Sequence, residues 1–145
     1  MYTALCMYAG EPMRDCIIIT VSRNVTGRKK LSGVYKNEVK KASSPLFRGF
    51  DDVFYAPHSR AMEVWEEDIL AVPQLELIAS SEEAGVTIVK STDSSHFFVT
   101  CHLEYDRNTL ALEYERDVKR GLNPKVPVNY FPDDDPSKTP VVNWR

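Results

Sequence analysis

The pattern of apolar and polar positions is clearest in the second half of the chain. Residues 75–79 and 86–89 are two apolar runs with β-branched side chains, and the polar stretch between them ends at Gly85. Two such runs joined by a short polar turn predict a β-hairpin. The short aromatic run 96–101 predicts a third strand, which we expect to be buried on both faces.

The strongest helical pattern lies between residues 109 and 120. Its apolar positions recur four residues apart, at Leu110, Tyr114 and Val118. This spacing predicts a helix with a buried stripe along one side. Asn108 or Thr109 can cap its first turn, and Gly121 stands where many helices end in a left-handed residue. Strands followed by such a helix predict an α/β fold.

The remaining segments have weaker patterns. Residues 16–21 form an apolar run typical of a buried strand, but the rest of 1–29 has no clear period. Residues 30–41 mix β-branched and basic side chains and predict an exposed strand. A short helix is expected within residues 61–70. The tail, 126–145, is rich in proline and aspartate and predicts an extended surface segment.

Composition narrows the class of protein. The chain has 145 residues, with 18 lysines and arginines against 21 aspartates and glutamates. A net charge of −3 excludes the strongly basic field of many nucleic-acid-binding proteins. The mean hydropathy is −0.34, and no apolar run approaches the roughly 18 residues that a membrane span needs. Three cysteines without paired spacing predict a reduced, cytoplasmic setting, and no zinc-ligand spacing is present.

Candidate chemistry follows the third predicted strand. His102 and Glu104 are two residues apart, so on an extended backbone their side chains point the same way. A histidine that works as a general base is often oriented by a carboxylate. The alternative is a surface histidine beside a glutamate that precedes a helix. Spacing alone does not separate these two interpretations.

Two further sets of polar residues have a plain structural alternative. Ser59 lies between His58 and Arg60, an arrangement that suits anion or hydroxyl binding but also suits a loop with local backbone bonds. Arg116 lies within the predicted helix, where it is suited either to a binding role or to local ion pairs on a solvated face. The acidic run 133–135 lacks the glycine and glutamate of a calcium loop and is interpreted as a solvated turn.

Five segments, taken in order, resemble the homoserine O-acyltransferases, both acetyl and succinyl, of methionine biosynthesis. They are KLSGVYKNEV (30–39), PLFRGFDDVFYAPHSR (45–60), EEAGVTIVKS (82–91), FVTCHLEYD (98–106) and GLNPKVPVNYFPDDDP (121–136). The resemblance implies a fold like that of class I glutamine amidotransferases, a flavodoxin-like three-layer α/β sheet. It also implies acyl transfer from acetyl-CoA or succinyl-CoA to L-homoserine through a cysteine thioester, with no further cofactor.

The resemblance also assigns roles by matching positions. His102 matches the family's general base, and Glu104 matches the carboxylate that orients it. Lys30, Ser59 and Arg116 match substrate-binding positions, with Arg116 a natural partner for the homoserine carboxylate. Where the family usually has TGHPEYD, this chain has TCHLEYD. Cys101 in place of glycine is not expected to act as a substitute nucleophile, because neighbours on a strand point to opposite faces.

The family's nucleophile elbow is missing from the sequence. Back-translated with suitable codons and read from the third base, residues 8–24 give CWGAHAGLYHHYGIPK, which is similar to that elbow. The hypothesis is that 1–29 is an out-of-frame reading of the elbow, which places the lost cysteine near Tyr8 and Ala9. Residues 30–145 then correspond to the second part of a larger enzyme.

Three functions remain open at this point. The first is a homoserine O-acyltransferase, acetyl or succinyl. The second is an inactive remnant of that enzyme that lacks the nucleophile. The third, from composition alone, is a small α/β binding module. An exposed apolar sheet edge is expected, and with it self-association into a homo-oligomer.

Overall fold

The computed structural model describes residues 2–3, 22–23, 30–49 and 51–144. In chain order its elements are β1 (Tyr2–Thr3), β2 (Ser22–Arg23), β3 (Leu31–Val39), β4 (Val53–Arg60), β5 (Glu63–Val64), α1 (Glu66–Leu70), β6 (Leu75–Ser81), β7 (Gly85–Ser91), β8 (Phe97–Val99) and α2 (Thr109–Lys119). Single 3-10 turns occupy Pro45–Phe47 and Pro132–Asp134. The strand predicted over 16–21 and the proposed elbow at residues 8–24 lie almost wholly outside the described residues, so the hypothesis about 1–29 stays a prediction.

The main sheet has five strands in the order β4-β3-β6-β7-β8, and every neighbouring pair is antiparallel. The predicted hairpin is confirmed: β6 pairs with β7 from Leu75↔Ser91 to Ser81↔Gly85. Gly85 has a φ of 74°, which suits the tight turn that joins the two strands. A smaller antiparallel sheet joins β1, β2 and β5.

The main sheet curls so that its last strand approaches its first. After β8, the backbone amide of Thr100 donates to the Thr87 carbonyl at 2.9 Å. Two residues later the amide of His102 donates to the Pro57 carbonyl on β4 at 2.8 Å. Within the described residues β4 is otherwise paired only with β3. The curl therefore carries His102 across to the strand that bears Ser59.

The α/β class predicted from the sequence is confirmed, with α2 packed against the sheet. The core on this side consists of Val34, Leu110, Tyr130, Phe131 and Trp144. It joins β3, α2 and the tail in one cluster. The strands run antiparallel, unlike those of a parallel flavodoxin-like sheet. The reason is that the described strands from β6 to β8 are linked by short hairpins, which join antiparallel neighbours.

The prediction of an extended surface tail is wrong for its aromatic residues, whereas residues 132–143 are exposed or half-buried as expected. Tyr130, Phe131 and Trp144 are each at most 6% exposed. Val128 runs alongside β3, where the Val34 amide donates to the Val128 carbonyl at 2.8 Å and the Val128 amide donates to Ser32 at 3.1 Å. Prolines and aspartates set the turns of the tail, but its aromatic side chains decide its burial.

In two segments the predicted strand forms, but the predicted burial of its side chains is wrong. A strand does form over most of 30–41, but β3 is an interior strand rather than an exposed one, with Val34 and Asn37 fully buried. A strand also forms within 96–101, but the residues of β8 are only half-buried. The short helix predicted within 61–70 forms only as α1, because β5 lies in the first part of that segment.

The helix predicted over 109–120 is confirmed as α2, but its buried face differs from the predicted stripe. Leu110 is buried as expected, whereas Val118 is 50% exposed. Asp117 takes the inward position next to it and is 6% exposed. No side-chain cap bond forms at Asn108, while Gly121 has the expected left-handed φ of 72°. No helix among the described residues is long and apolar enough to cross a membrane.

Replacing Gly33 with alanine should destabilise the fold strongly. A Cβ at this position would lie 2.5 Å from the Val128 carbonyl oxygen and 2.6 Å from its amide nitrogen, and φ is +148°. Since backbone atoms cannot move aside as a side chain does, we expect a loss of about 3 kcal/mol in the free energy of unfolding, measured in urea.

The matched control for this change is Gly121→Ala. Gly121 also has a positive φ, +72°, but an added Cβ would meet nothing within 4 Å. Substitution of Gly121 should lower the free energy of unfolding by only about 1 kcal/mol, which is the strain of a positive φ in a residue that has a Cβ. Equal losses at the two glycines would show that the close approach to Val128 does not constrain the sheet.

Candidate active site

His102 and Glu104 form a hydrogen-bonded pair just beyond the curl of the sheet. The distance from His102 Nδ1 to Glu104 Oε1 is 2.9 Å. Because an ionised carboxylate can only accept, Nδ1 donates in this pair, and in the neutral imidazole Nε2 then keeps its lone pair. The His102 side chain is 34% exposed and that of Glu104 is 71% exposed, so the free nitrogen can meet a ligand.

Tyr105 connects this pair to helix α2. Its ring stacks on the His102 imidazole, with ring centroids 4.3 Å apart and planes 12° from parallel. Its hydroxyl donates to Glu113 Oε1 at 2.9 Å. Burial, together with the neighbouring Glu113, raises the pKa of the Tyr105 phenol above its usual value. The phenol is therefore a hydrogen-bond donor at neutral pH.

Glu113 accepts hydrogen bonds from three separate parts of the chain. Ser59 on β4 and Lys30, just before β3, both donate to Oε2, the lysine at 2.9 Å. Burial alone would raise the pKa of Glu113, but the hydrogen bonds from Ser59, Lys30 and Tyr105 and the charge of Lys30 outweigh it. The pKa is lowered, and the carboxylate is ionised at neutral pH.

Asp117 continues the same line of contacts one turn further along α2. Lys30 Nζ donates to its Oδ2 at 3.2 Å, and Arg116 donates to its Oδ1 through Nε at 3.0 Å. The hydrogen bond from Arg116, followed by the interactions with Lys30, lowers the pKa of Asp117. Arg116 itself is 48% exposed, so part of its guanidinium faces solvent.

All five residues that the sequence singles out therefore belong to one connected set. They are Lys30, Ser59, His102, Glu104 and Arg116. Three residues that the sequence reasoning missed make the connections: Tyr105, Glu113 and Asp117. The helical spacing could have identified two of them, since Glu113 and Asp117 are four residues apart on α2 and share a face with Leu110.

The triplet around Ser59 is divided between the two faces of β4. Ser59 faces α2, whereas His58 points to the opposite face, as neighbours on a strand must. The His58 ring is fully buried, lies edge-on to Tyr35 at 5.7 Å, and neither of its nitrogens has a hydrogen-bond partner among the described residues. Burial, followed by the charges of Arg60 and His102, lowers the pKa of His58 to about 3.

Cys101 lacks the properties of a nucleophilic cysteine. Its side chain is buried, at 5% exposure. Burial, opposed by a backbone hydrogen bond and reinforced by the charge of Glu104, raises the pKa of the thiol to about 12. The thiol is therefore protonated at neutral pH, and the thiolate is the reactive form of cysteine. The predicted position of the lost nucleophile, near Tyr8 and Ala9, lies outside the described residues.

A cleft of about 170 Å³ opens at the end of the site that is distant from His102. Lys30 and Asp117 line it, together with the apolar surfaces of Tyr114, Leu122 and Pro124. Within the part of the chain that the structure describes, no group of three or more histidine, cysteine, aspartate or glutamate side chains is arranged to hold a metal ion.

A protein-family model described as "HTS: Homoserine O-succinyltransferase" matches residues 16–145. Curated relatives named homoserine O-acetyltransferase include that of Methanomethylophilus alvi, 55% identical over 116 residues, and that of Thermotoga petrophila, 57% identical over 116 residues. Each match covers 80% of this chain and 38% of the relative. The chain thus spans under two fifths of the length of these proteins.

Two solved structures are similar to part of this chain. One is the glutaminase domain of Trypanosoma brucei CTPS with bound acivicin, at a TM-score of 0.49 and 19% identity, over 60% of this chain and 39% of that domain. The other is a protein from Thermoplasma acidophilum described as part of a GMP synthase, at a TM-score of 0.43 and 17% identity, over 61% and 47% of the two chains.

Replacing His58 with phenylalanine should flatten the pH dependence of stability between about pH 7.5 and pH 5. His58 has a pKa of about 3 when folded and 6.5 when unfolded, so only the unfolded chain takes up this proton as the pH falls through that window. The free energy of unfolding of the wild-type protein should fall by about 2 kcal/mol over this range. Urea unfolding at a series of pH values measures the slope.

The control is His96→Asn, which removes a half-buried histidine at the β7–β8 turn and leaves His58 in place. This variant should keep the wild-type slope. The carboxylates of Glu113 and Asp117 have lowered pKa values and therefore titrate below the chosen window. A His58→Phe protein that loses stability with falling pH as steeply as the wild type would contradict the assignment.

Proposed function

This chain belongs to the homoserine O-succinyltransferase family, and we propose that its site binds L-homoserine for acyl transfer from acyl-CoA. The observation that carries the proposal is the position of a histidine–carboxylate pair beside a cluster of paired cations and anions. An amino-acid substrate has a carboxylate, an ammonium group and a reactive hydroxyl, and this arrangement has a partner for each of them.

The head group of homoserine is assigned to the α2 side of the site. Arg116 uses Nε and Nη2 on Asp117, and its remaining donors suit the substrate carboxylate. Lys30 lies 2.9 Å from Glu113 and supplies a second positive charge. Glu113 is ionised and suits the substrate ammonium group. Ser59 fixes the orientation of Glu113 and of any ligand bound there.

The hydroxyl of homoserine is assigned to His102. With Nδ1 bound to Glu104, the imidazole has its Nε2 lone pair free to take the hydroxyl proton. The homoserine oxygen then attacks the thioester carbonyl, the new C–O bond forms, the C–S bond breaks, and His102 returns the proton to the departing sulfur. Glu104 stabilises the imidazolium that forms in between.

The acyl donor is proposed to be acetyl-CoA or succinyl-CoA. The family model carries the name of the succinyl enzyme, and the curated relatives carry that of the acetyl enzyme. The proposed reaction belongs to methionine biosynthesis in the cytoplasm, with the acyl-CoA as co-substrate and no resident cofactor or metal. For the whole protein, transfer is proposed to pass through a cysteine thioester in the manner implied by the family.

A second candidate function is a chain that binds homoserine without turning over acyl-CoA. The observation that favours it is the state of Cys101, the one cysteine within the described residues. Its thiol is buried and has a pKa of about 12, so it does not supply a thiolate at neutral pH. Cys6 and Cys16 lie outside the described residues.

Arg116→Met should weaken homoserine binding at least tenfold, because it removes the charge assigned to the substrate carboxylate. Isothermal titration calorimetry of the purified chain with L-homoserine measures the dissociation constant. Arg120→Met is the matched control: it removes the same charge one turn further along, at an exposed position beyond the end of α2. It should leave affinity within about twofold.

Release of free CoA from acetyl-CoA or succinyl-CoA in the presence of homoserine then separates the two candidates. Homoserine-dependent release that Arg116→Met abolishes supports the enzyme, and binding without release supports the second candidate. If the wild-type chain fails to bind homoserine, or if Arg116→Met and Arg120→Met lose the same affinity, the proposed substrate site is wrong.

A further inference from the structure

We propose that Tyr105 is a positioning residue that holds the general base His102 with its ring and the substrate-binding carboxylate of Glu113 with its hydroxyl. The inference rests on the proposed function of these two residues and deepens it. It assigns to one side chain the coupling between the two halves of the site, the half that activates the hydroxyl and the half that binds the amino-acid head group.

The ring of Tyr105 restricts the imidazole of His102. The two rings are nearly parallel, with centroids 4.3 Å apart. A turn brings them together, because the Tyr105 amide donates to the His102 carbonyl at 3.2 Å. Turning the imidazole out of this plane about its Cβ–Cγ bond would break both the stack and the 2.9 Å bond from Nδ1 to Glu104. The stack therefore holds the ring in the plane in which the bond to Glu104 leaves Nε2 as the free base.

The hydroxyl of Tyr105 acts on a different group. It donates to Oε1 of Glu113 at 2.9 Å, while Ser59 and Lys30 both use Oε2. The two oxygens of the carboxylate are thus fixed from opposite sides. Without the phenol, Oε1 would lose the donor that sets the plane of the carboxylate, and an ammonium group would meet a less ordered acceptor.

The backbone of Tyr105 is held from behind by the tail of the chain. The indole Nε1 of Trp144 donates to the Tyr105 carbonyl at 3.2 Å. Trp144 is 6% exposed and stacks on Tyr130 at 6.2 Å, within the core that α2 also contacts. Tyr105 is accordingly supported by buried packing, and a side chain supported in this way can orient its neighbours.

Two variants separate the ring from the hydroxyl. Tyr105→Phe keeps the stack and removes the bond to Glu113, whereas Tyr105→Leu removes both. Nitrogen-15 NMR of histidine-labelled protein reports which nitrogen of His102 carries the proton. Carbon-13 NMR of glutamate-labelled protein follows the titration of Glu113. Neither readout needs turnover or bound homoserine.

Tyr105→Phe should keep the wild-type Nδ1–H tautomer of His102 but raise the pKa of Glu113, because one of its donors is lost. It should also weaken homoserine binding about fivefold, because the carboxylate that meets the ammonium group loses the donor that orients it. Tyr105→Leu should show the same change at Glu113 and in addition a mixture of His102 tautomers. In the wild type, the ring protons of His102 should be shifted upfield by the stacked phenol, a test that needs no variant.

Three results would overturn the assignment. They are a single Nδ1–H tautomer in folded Tyr105→Leu, an unchanged Glu113 titration in Tyr105→Phe, and the absence of an upfield shift in the wild type. Failure of the proposed function has a different signature: homoserine would not bind the wild-type chain, while the tautomer and the titration would still respond to the two variants.

Discussion

The carboxylate of Glu113 is the interaction on which the arrangement of this site depends. It accepts hydrogen bonds from the segment before β3, from β4 and from the turn after β8, through Lys30, Ser59 and Tyr105. Partial burial of a carboxylate costs free energy of folding unless hydrogen-bond donors surround the carboxylate. The rotation of α2 turns Glu113 toward these donors and leaves the apolar Val118 50% exposed.

The backbone brings these donors together through two long-range contacts. The 2.8 Å bond from the His102 amide to the Pro57 carbonyl closes the curled sheet beside β4 and places His102 near Ser59. Val128 lies against Gly33 on β3, where only a glycine leaves room for the neighbouring backbone. That contact fixes the tail, whose aromatic residues pack beneath α2. Sheet, helix and tail thus form one support for the polar cluster.

Local patterns in the sequence were enough to predict the β6–β7 hairpin, the position of α2 and the glycine that ends it, because short-range spacing and turn residues determine these features. The burial of α2 and of the tail was not predictable in this way. Asp117 faces inward because Lys30, 87 residues away, supplies its partner, and Trp144 is buried through contacts with distant elements. His102, Glu104 and Ser59 were candidates from their spacing and neighbours, and a family resemblance gave them roles, whereas only the folded chain shows that Tyr105 and Glu113 connect them.

A double-mutant cycle between Lys30 and Glu113 tests most directly whether this network is a real energetic unit. The free energy of unfolding is measured for the wild type, Lys30→Met, Glu113→Gln and the double variant. The side chains are 30% and 19% exposed, so solvent screens the pair only in part, and we expect a coupling of about 1 kcal/mol. Effects that add to within about 0.3 kcal/mol would contradict the central role of Glu113.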